Sequence, residues 1–364
     1  MSRKRIIRFR AAPGHAYGRF STCAGWLLGL GLLAGPHCLD PGPGFHRAAA
    51  ADSAVAEPAA AEAEKAEPAA APAQSQLPAA AEVELETSDG VALSVWHYPG
   101  NATNTEGGGV TVILLHDFGG SHKEVEPLAT ALQSIGCDVV VPDLRGHGAS
   151  RIRRVGGQES KVEAKALKAP EVEFMAHSRG SQVRDQAAQR GDVETTRNWM
   201  ISQQLPMDRL HVAGVGLGAA LAAAWTAEDA AWPSLASGPQ GKQVRGLVMI
   251  APLLAPRGLS LLKPLEQETV RRTTPILILG GRSDKDADRA FDQLKRQRPQ
   301  AWFKRPAKGK VERAEKLEDA SKATLFQIEL DSGAEGEKLA AEPGVAEAIE
   351  RFLSLTKPAQ KPRR

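Results

Sequence analysis

The stretch Leu210–Asp229, LHVAGVGLGAALAAAWTAED, changes its pattern at a group of three glycines. The apolar run before the glycines predicts a buried strand, and the alanine-rich run after them predicts a helix. A strand that passes through a tight turn directly into a helix is the unit from which parallel sheets are built. The stretch therefore predicts an α/β fold.

Segments on both sides of this stretch repeat the alternation of strand and helix. Continuous apolar runs, typical of strands buried on both faces, are GVTVILLHD, CDVVVPDL, VRGLVMIAPL, TPILILGG and TLFQIEL. Helical patterns stand between and after them, as in EVEPLATALQSIG and the final PGVAEAIERFLSL. EVELETSDG and VALSVWHYP predict a hairpin that turns at Asp89-Gly90. We therefore expect a doubly wound, mostly parallel sheet that begins with an antiparallel hairpin.

Two stretches interrupt this pattern. Residues 151–205 are polar, and we expect a long helical insertion there. Residues 298–322 carry many charges of both signs, and we expect a solvated excursion between the last two elements of the sheet. A role in binding a partner is the alternative for this second stretch.

The N-terminal residues have the order of a secretory signal peptide. The basic start MSRKRIIRFR is followed by a short apolar core, Cys23–Gly35, and by alanine-rich cleavage sites around Ala50 or Ala51. This order predicts a signal peptide over residues 1–51 and export to the periplasm or cell envelope. The apolar core is shorter than the roughly 20 residues of a spanning helix. A retained membrane anchor is therefore the less favoured alternative.

Composition divides the remainder into a tether, a domain and a tail. Residues 52–81 are rich in Ala, Pro and Glu and hold almost no large apolar side chain. We expect them to form a disordered linker, because such a segment cannot bury enough apolar surface to fold. The folded domain is expected over residues 82–355, and residues 356–364 form a short basic tail.

The charge of the chain depends on the N-terminal segment. Residues 1–51 hold seven of the 46 Lys and Arg residues and one of the 43 Asp and Glu residues, so the remainder has 39 basic and 42 acidic residues. A slightly acidic mature chain argues against a nucleic-acid partner. Cleavage would also leave Cys137 as the single cysteine, so no internal disulfide is expected in the exported protein.

Two motifs resemble those of a known family. VILLHDFGGS, residues 112–121, and VVVPDLRGHGAS, residues 139–150, resemble the α/β-hydrolase fold in its lipase-like and serine-aminopeptidase-like branch. That family shows H-G-x-x-G after its third strand and D-x-R-G-H-G-x-S after its fourth. The first motif departs from the pattern at Asp117, where glycine is usual, and the second matches in full. The resemblance covers roughly Glu82 to Leu355.

The resemblance implies a catalytic triad in the order Ser, Asp or Glu, His. GVGLG, residues 214–218, stands at the nucleophile elbow, with Gly216 in the position of the serine. Asp284 follows PILILGG and takes the position of the acid. Glu335 takes the position of the histidine, and no histidine occurs after His211. We therefore expect a degenerate triad that has lost its nucleophile and its base.

The expected function follows from this degenerate triad. The resemblance implies that the backbone amides of Phe118 and Leu217 form the oxyanion hole, so the pocket can survive without the triad. We expect an exported, non-catalytic module that binds an unknown small molecule or protein, with no cofactor. A membrane contact is expected only through an uncleaved N-terminal segment. The alternative is an active esterase or peptidase-like serine hydrolase with a non-standard constellation.

Ser178 in AHSRG is a rival candidate for the nucleophile, because G-H-S-x-G is a common elbow sequence. The segment before it lacks the buried apolar strand that an elbow requires. Accepting Ser178 would also leave the strand, turn and helix of Leu210–Asp229 without a place in the fold.

Two further interpretations concern cofactors and metals. Gly214, Gly216 and Ala219 match the dinucleotide fingerprint G-x-G-x-x-[GA], but the following strand ends MIAPLL, without the acidic residue that binds ribose. His116 and His147 could be metal ligands with Asp117 or Asp284, but both histidines already belong to the family motifs. We expect neither a dinucleotide nor a metal.

Overall fold

The structure is a computed structural model, and it describes residues 77–100, 109–177, 190–232 and 241–356. The predicted signal peptide, most of the predicted linker and Ser178 lie outside these residues, as does nearly all of the predicted tail.

Twelve strands and nine helices are defined within the described residues. The strands are β1 (Ala81–Glu86), β2 (Val91–Tyr98), β3 (Thr111–Leu115), β4 (Asp138–Pro142), β5 (Ile152–Val155), β6 (Gln158–Lys161), β7 (Leu210–Val215), β8 (Val244–Ile250), β9 (Ile276–Gly280), β10 (Trp302–Arg305), β11 (Glu312–Arg313) and β12 (Leu325–Glu329). The helices are α1 (His122–Ser134), α2 (Ala169–Met175), α3 (Asp192–Ser202), α4 (Leu217–Ala231), α5 (Leu262–Leu265), α6 (Glu268–Arg272), α7 (Lys285–Gln297), α8 (Gly336–Ala340) and α9 (Pro343–Leu355). None of these helices has the length and apolar character needed to cross a membrane.

All twelve strands belong to one mixed sheet. Its order is β11-β10-β12-β9-β8-β7-β3-β4-β2-β5-β6, and β1 pairs with β2 outside this path. The seven strands from β10 to β4 run parallel, and antiparallel strands lie at both edges. The predicted doubly wound sheet and the hairpin of β1 and β2 are confirmed.

The core lies on both faces of the parallel strands. Successive side chains of a strand point to opposite faces, and both sets are buried in β3, β7 and β9. One face packs Ile113, Val212 and Met249 against α4. The other face packs Val112 and Leu114 against α1, in a cluster that also contains residues of α9. Burial on both faces explains why these strands have no polar alternation.

The prediction for residues 151–205 was wrong in its first part. The segment begins with the hairpin of β5 and β6, and β5 pairs with β2 as an edge of the sheet. Gly156 and Gly157 form the turn with φ of 58° and 81°, values that a two-residue hairpin turn requires and that glycine adopts without a Cβ clash. The helical part of the prediction is confirmed by α2 and α3.

The prediction for residues 298–322 was also incomplete. Within this charged stretch, β10 pairs in parallel with β12 and extends the sheet, and β11 pairs with β10. Trp302 of β10 packs edge-on against Phe291 of α7, with ring centroids 6.0 Å apart. The excursion is therefore part of the sheet, because its few apolar residues find partners that are distant in sequence.

Candidate active-site remnant

The glycine turn between β7 and α4 has the shape of a nucleophile elbow. Gly216 has φ of 53° and ψ of −111°, and α4 starts at the next residue. A Cβ at Gly218 would overlap the carbonyl oxygens of Leu115 and His116, so the helix packs directly on the end of β3. The angles at Gly216 are strained for any other residue. The backbone geometry of an elbow is therefore present, without a side chain at its tip.

The two expected oxyanion amides converge on a side chain of the protein itself. The backbone N–H groups of Phe118 and Leu217 both donate to Oδ1 of Asp117, each at an N···O distance of 2.7 Å. Leu217 is the first residue of α4, where backbone N–H groups and the helix dipole favour an anion. The carboxylate of Asp117 thus occupies the place where an oxyanion would bind.

Asp117 also fills the space above the elbow. A Cβ built on Gly216 would overlap the carboxyl carbon and both carboxyl oxygens of Asp117. A Cβ on Gly336, at the start of α8, would lie 3.3 Å from Oδ2 of Asp117. Asp117 and Gly216 therefore fit together because residue 216 has no side chain.

A cavity of about 820 Å³ opens beside Asp117 at the carboxyl end of the sheet. Asp284 and Glu335 line it, so the structure brings the expected acid and histidine positions to one site near the elbow. Its other charged lining residues are Arg282, Lys285, Asp286, Glu337 and Lys338. No histidine is present among the described residues that line it.

Asp284 serves as the N-cap of α7. Its Oδ1 accepts hydrogen bonds from the backbone N–H groups of Asp286 and Ala287, at 3.1 and 3.0 Å. Burial raises the pKa of this carboxyl group, and the two backbone hydrogen bonds oppose the rise. The side chain is therefore held by the helix that it caps.

Glu335 stands at the expected histidine position, and Glu337 follows two residues later. Glu335 is exposed and makes no side-chain capping bond to α8. Glu337 instead reaches the loop after β3, where a Cβ on Gly120 would overlap its Oε1. Burial and the nearby carboxylates of Glu124 and Asp117 raise the pKa of Glu337 to about 7. A carboxyl group that titrates near neutral pH thus lies close to Asp117.

A family comparison can be set beside this geometry. The model of the alpha/beta hydrolase family matches residues 112–350, more than half of the 364-residue chain. The chain belongs to the alpha/beta hydrolase family. No curated protein matches it significantly.

Several solved structures are similar to this chain at low sequence identity. A soluble variant of monoglyceride lipase from Saccharomyces cerevisiae is 13% identical, covering 80% of this chain and 100% of its own, with a TM-score of 0.46. An alpha-beta hydrolase from Vibrio vulnificus is 14% identical, covering 76% and 81%, with a TM-score of 0.46. DcsB, in a complex with its substrate analogue, is 13% identical, covering 76% and 98%, with a TM-score of 0.46. At such identities a shared fold does not imply a shared substrate.

The histidine of the first hydrolase motif is engaged by the backbone. Nε2 of His116 accepts from the N–H of Leu144 at 3.0 Å, so its proton is on Nδ1, which donates to the carbonyl of Asp117 at 2.7 Å. Complete burial lowers the pKa of His116 to about 4, so the ring is neutral. With both ring nitrogens occupied, His116 joins the loops after β3 and β4 and is not placed to act as a base.

The second hydrolase motif is held by buried hydrogen bonds. Asp143 accepts from the backbone N–H groups of His122 and Ala149, at 2.7 and 2.9 Å. The Arg145 guanidinium, 1% exposed, forms an ion pair with Asp192 at 2.6 Å and another with Asp89 at 2.8 Å. His147 donates from Nδ1 to the carbonyl of Arg145 at 2.9 Å, because this carbonyl can only accept. No group of three or more His, Cys, Asp or Glu in the described part of the chain is arranged to hold a metal.

Sequence reasoning missed two residues of this site. Asp117 was recognised as a departure from the hydrolase motif and weighed only as a metal ligand, and Glu337 was not considered. The family pattern has glycine at position 117 and serine at position 216, and both positions belong to the same site. This chain has a carboxylate at the first and glycine at the second. Two changes from the pattern at one site were the clue that the sequence offered.

Proposed function

We propose that this chain is an exported, non-catalytic member of the alpha/beta hydrolase family that binds a small molecule or a protein in the cell envelope. The observation that carries the proposal is the elbow, which presents Gly216 where a hydrolase presents its nucleophile. The Asp117 carboxylate accepts from both amides that would stabilise an oxyanion. Hydrolysis by the usual triad requires a serine, a histidine and an open oxyanion hole.

The cavity supports a binding role. Its volume of about 820 Å³ lies in the range of roughly 300 to 1,000 Å³ that is typical of small-molecule sites. Its lining carries Arg and Lys as well as Asp and Glu side chains. This mixture of charges favours a polar ligand over a lipid chain.

Loss of activity can be tested on the purified chain. We expect no labelling by a serine-reactive fluorophosphonate and no turnover of short-chain chromogenic esters above buffer. Ser283 and Ser332 line the cavity, so a variant with both replaced by alanine is the matched control. Labelling that disappears in this variant would contradict the proposal and locate a nucleophile in the cavity.

The alternative hydrolase has its own outcome in this experiment. Labelling that survives replacement of Ser283 and Ser332 but disappears in Ser178→Ala would establish an active enzyme with a non-standard constellation. Ser178 would then be its nucleophile.

Export is proposed from the N-terminal residues. Their basic start, apolar core and alanine-rich sites lead us to expect a mature N-terminus near Ala51 or Asp52. N-terminal sequencing of the protein from an envelope fraction measures this directly. Finding Met1 or Ser2 intact in a soluble cytoplasmic pool would contradict export.

A further inference from the structure

We propose that Asp117 is an internal ligand of the oxyanion hole, and that its carboxylate closes the hole to the carbonyl or carboxylate oxygens of any external molecule. This inference rests on the proposed non-catalytic function, because a hydrolase of this fold needs the hole for its substrate. It adds a cause of inactivity that is independent of the missing serine. It also specifies the class of ligand, a small carboxylate, that the hole would accept if the side chain were removed.

The contact has the geometry of a complete anion site. One oxygen, Oδ1 of Asp117, accepts from two backbone N–H groups at 2.7 Å. Leu217 is 100 residues from Asp117 in sequence, so the site depends on the tertiary fold. Distances of this size are typical of hydrogen bonds to a charged acceptor. The carboxylate therefore makes the contacts that an external oxyanion would make.

The surroundings of Asp117 are fitted to its side chain. Gly216 lies directly beneath it, and any Cβ at that position would overlap the carboxyl group. Gly336 lies on another side, where a Cβ would be 3.3 Å from Oδ2. Because glycines stand at both positions, the side chain fits the site without displacing a neighbour. Asp117 and Gly216 thus form a matched pair, in which a larger residue at 216 would have to expel the carboxylate.

Removing the carboxylate should leave the two amides without an acceptor. Both donors are part-buried beside the cavity, so a small carboxylate from solution can reach them and supply the missing oxygen. A ligand that binds only the folded state stabilises it by RT ln(1 + [L]/Kd), so the melting temperature rises with the ligand concentration. Formate and acetate are suitable probes because they reproduce the carboxyl group of the aspartate.

The experiment compares full-length chains at constant ionic strength, with sodium formate replacing sodium chloride. We expect the melting temperature of Asp117→Gly to rise with formate, while the parent and Asp117→Asn do not respond. Asp117→Asn keeps the shape and an acceptor oxygen in the hole. Asp284→Asn alters another carboxylate of the same cavity and should not respond either. An Asp117→Gly protein that responds to formate no more than the parent would overturn the proposal.

A second measurement does not require Asp117→Gly to fold. In amide NMR spectra, charge-assisted bonds place the Phe118 and Leu217 resonances of the parent downfield, and both should move upfield together in Asp117→Asn. Movement of one resonance, or of neither, would overturn the shared-acceptor geometry. The inference and the proposed function fail separately, since fluorophosphonate labelling tests activity and the formate response tests the hole.

Discussion

Two loops at the carboxyl end of the sheet differ in what they have kept. The loop after β4, Asp143–Ser150, retains every residue of its family motif. The loops around Gly216 retain the backbone of the elbow and have changed the side chains that chemistry needs. In the first loop Asp143, Arg145 and Ser150 bond to the protein itself. The complete motif therefore indicates that the fold is kept, whereas only the incomplete motif carries information about catalytic activity.

The difference has an energetic basis. Arg145 is nearly inaccessible, and its charge is compensated by Asp192 and Asp89. Changing one member of such a network leaves a buried charge without a partner. No comparable penalty protects a catalytic serine, because glycine at the elbow relieves backbone strain. Side chains that hold the fold should therefore be far less replaceable than those that performed chemistry.

The largest effect is expected at Asp192. Asp192→Ala removes a fully buried carboxylate that bonds to both the backbone and the guanidinium of Arg145. We expect a loss of about 3–5 kcal/mol in the free energy of unfolding, as for other broken buried ion pairs. Denaturant unfolding measures it. Asp89→Ala is the matched control, and it should cost less because the Asp89 side chain is 31% exposed; equal costs would contradict the network.

Gly216→Ser tests the other region. The substitution places a side chain at φ of 53°, a strain on the order of 1–3 kcal/mol, and it also displaces the Asp117 carboxylate. We expect a lower melting temperature and no ester hydrolysis, because no histidine is among the described residues that line the cavity. Adding Glu335→His should at best give weak turnover.

Combining Gly216→Ser with Asp117→Gly separates the backbone strain at residue 216 from the overlap with the Asp117 carboxylate. In an Asp117→Gly background, Gly216→Ser should reduce the melting temperature by less than in the parent, because the overlap with Asp117 is gone. Double-mutant analysis gives the coupling between the two positions. A Gly216→Ser protein as stable as the parent and active by itself would refute both the elbow assignment and the broken triad.

A smaller effect is expected from pH through Glu194. This residue is 2% exposed, and burial raises its pKa to about 7 although Arg197 and Trp225 lower it. The folded state therefore holds more protons than the unfolded state between about pH 4.5 and 7. Stability should fall as the pH rises through this window, by at most ~1.4 kcal/mol per unit for one proton.

Glu194→Gln is the control for this pH dependence. Burial lowers the pKa values of His116 and His211 to about 4. These two residues act against Glu194, because they make the folded state less stable as the pH falls below the pKa of free histidine. Both proteins contain these histidines, so the difference between the two pH profiles of stability isolates the contribution of Glu194. The pKa of Glu337 is also raised to about 7, so Glu337→Gln should likewise weaken the loss of stability with rising pH. Parallel pH profiles for the parent and Glu194→Gln would contradict a raised pKa at Glu194.

The sequence predicted the parallel sheet because its strands are buried on both faces, which requires long apolar runs such as ILILG in β9. The hairpin of β5 and β6 was predictable from Gly156-Gly157 and was overlooked. Strand β10 was not predictable locally, since WFKR gains its stability from pairing with β12. The role of Asp117 could not be predicted for the same reason, because its carboxylate bonds to Leu217, 100 residues away in sequence.

The smallest expected effect concerns Asp284, the one triad position that keeps its residue type. Its carboxylate caps α7 through the N–H groups of Asp286 and Ala287, and loss of such a cap typically costs ~1 kcal/mol. Asp284→Ala should therefore lower the free energy of unfolding by about that amount and change no hydrolytic rate, because no histidine lines the described cavity. Asp292→Ala, on an exposed position of α7, is the control and should stay within roughly 0.5 kcal/mol of the parent. If Asp284→Ala instead abolished a measurable activity, the acid would still be catalytic, and the proposal that the site around Gly216 has lost its catalytic role would be contradicted.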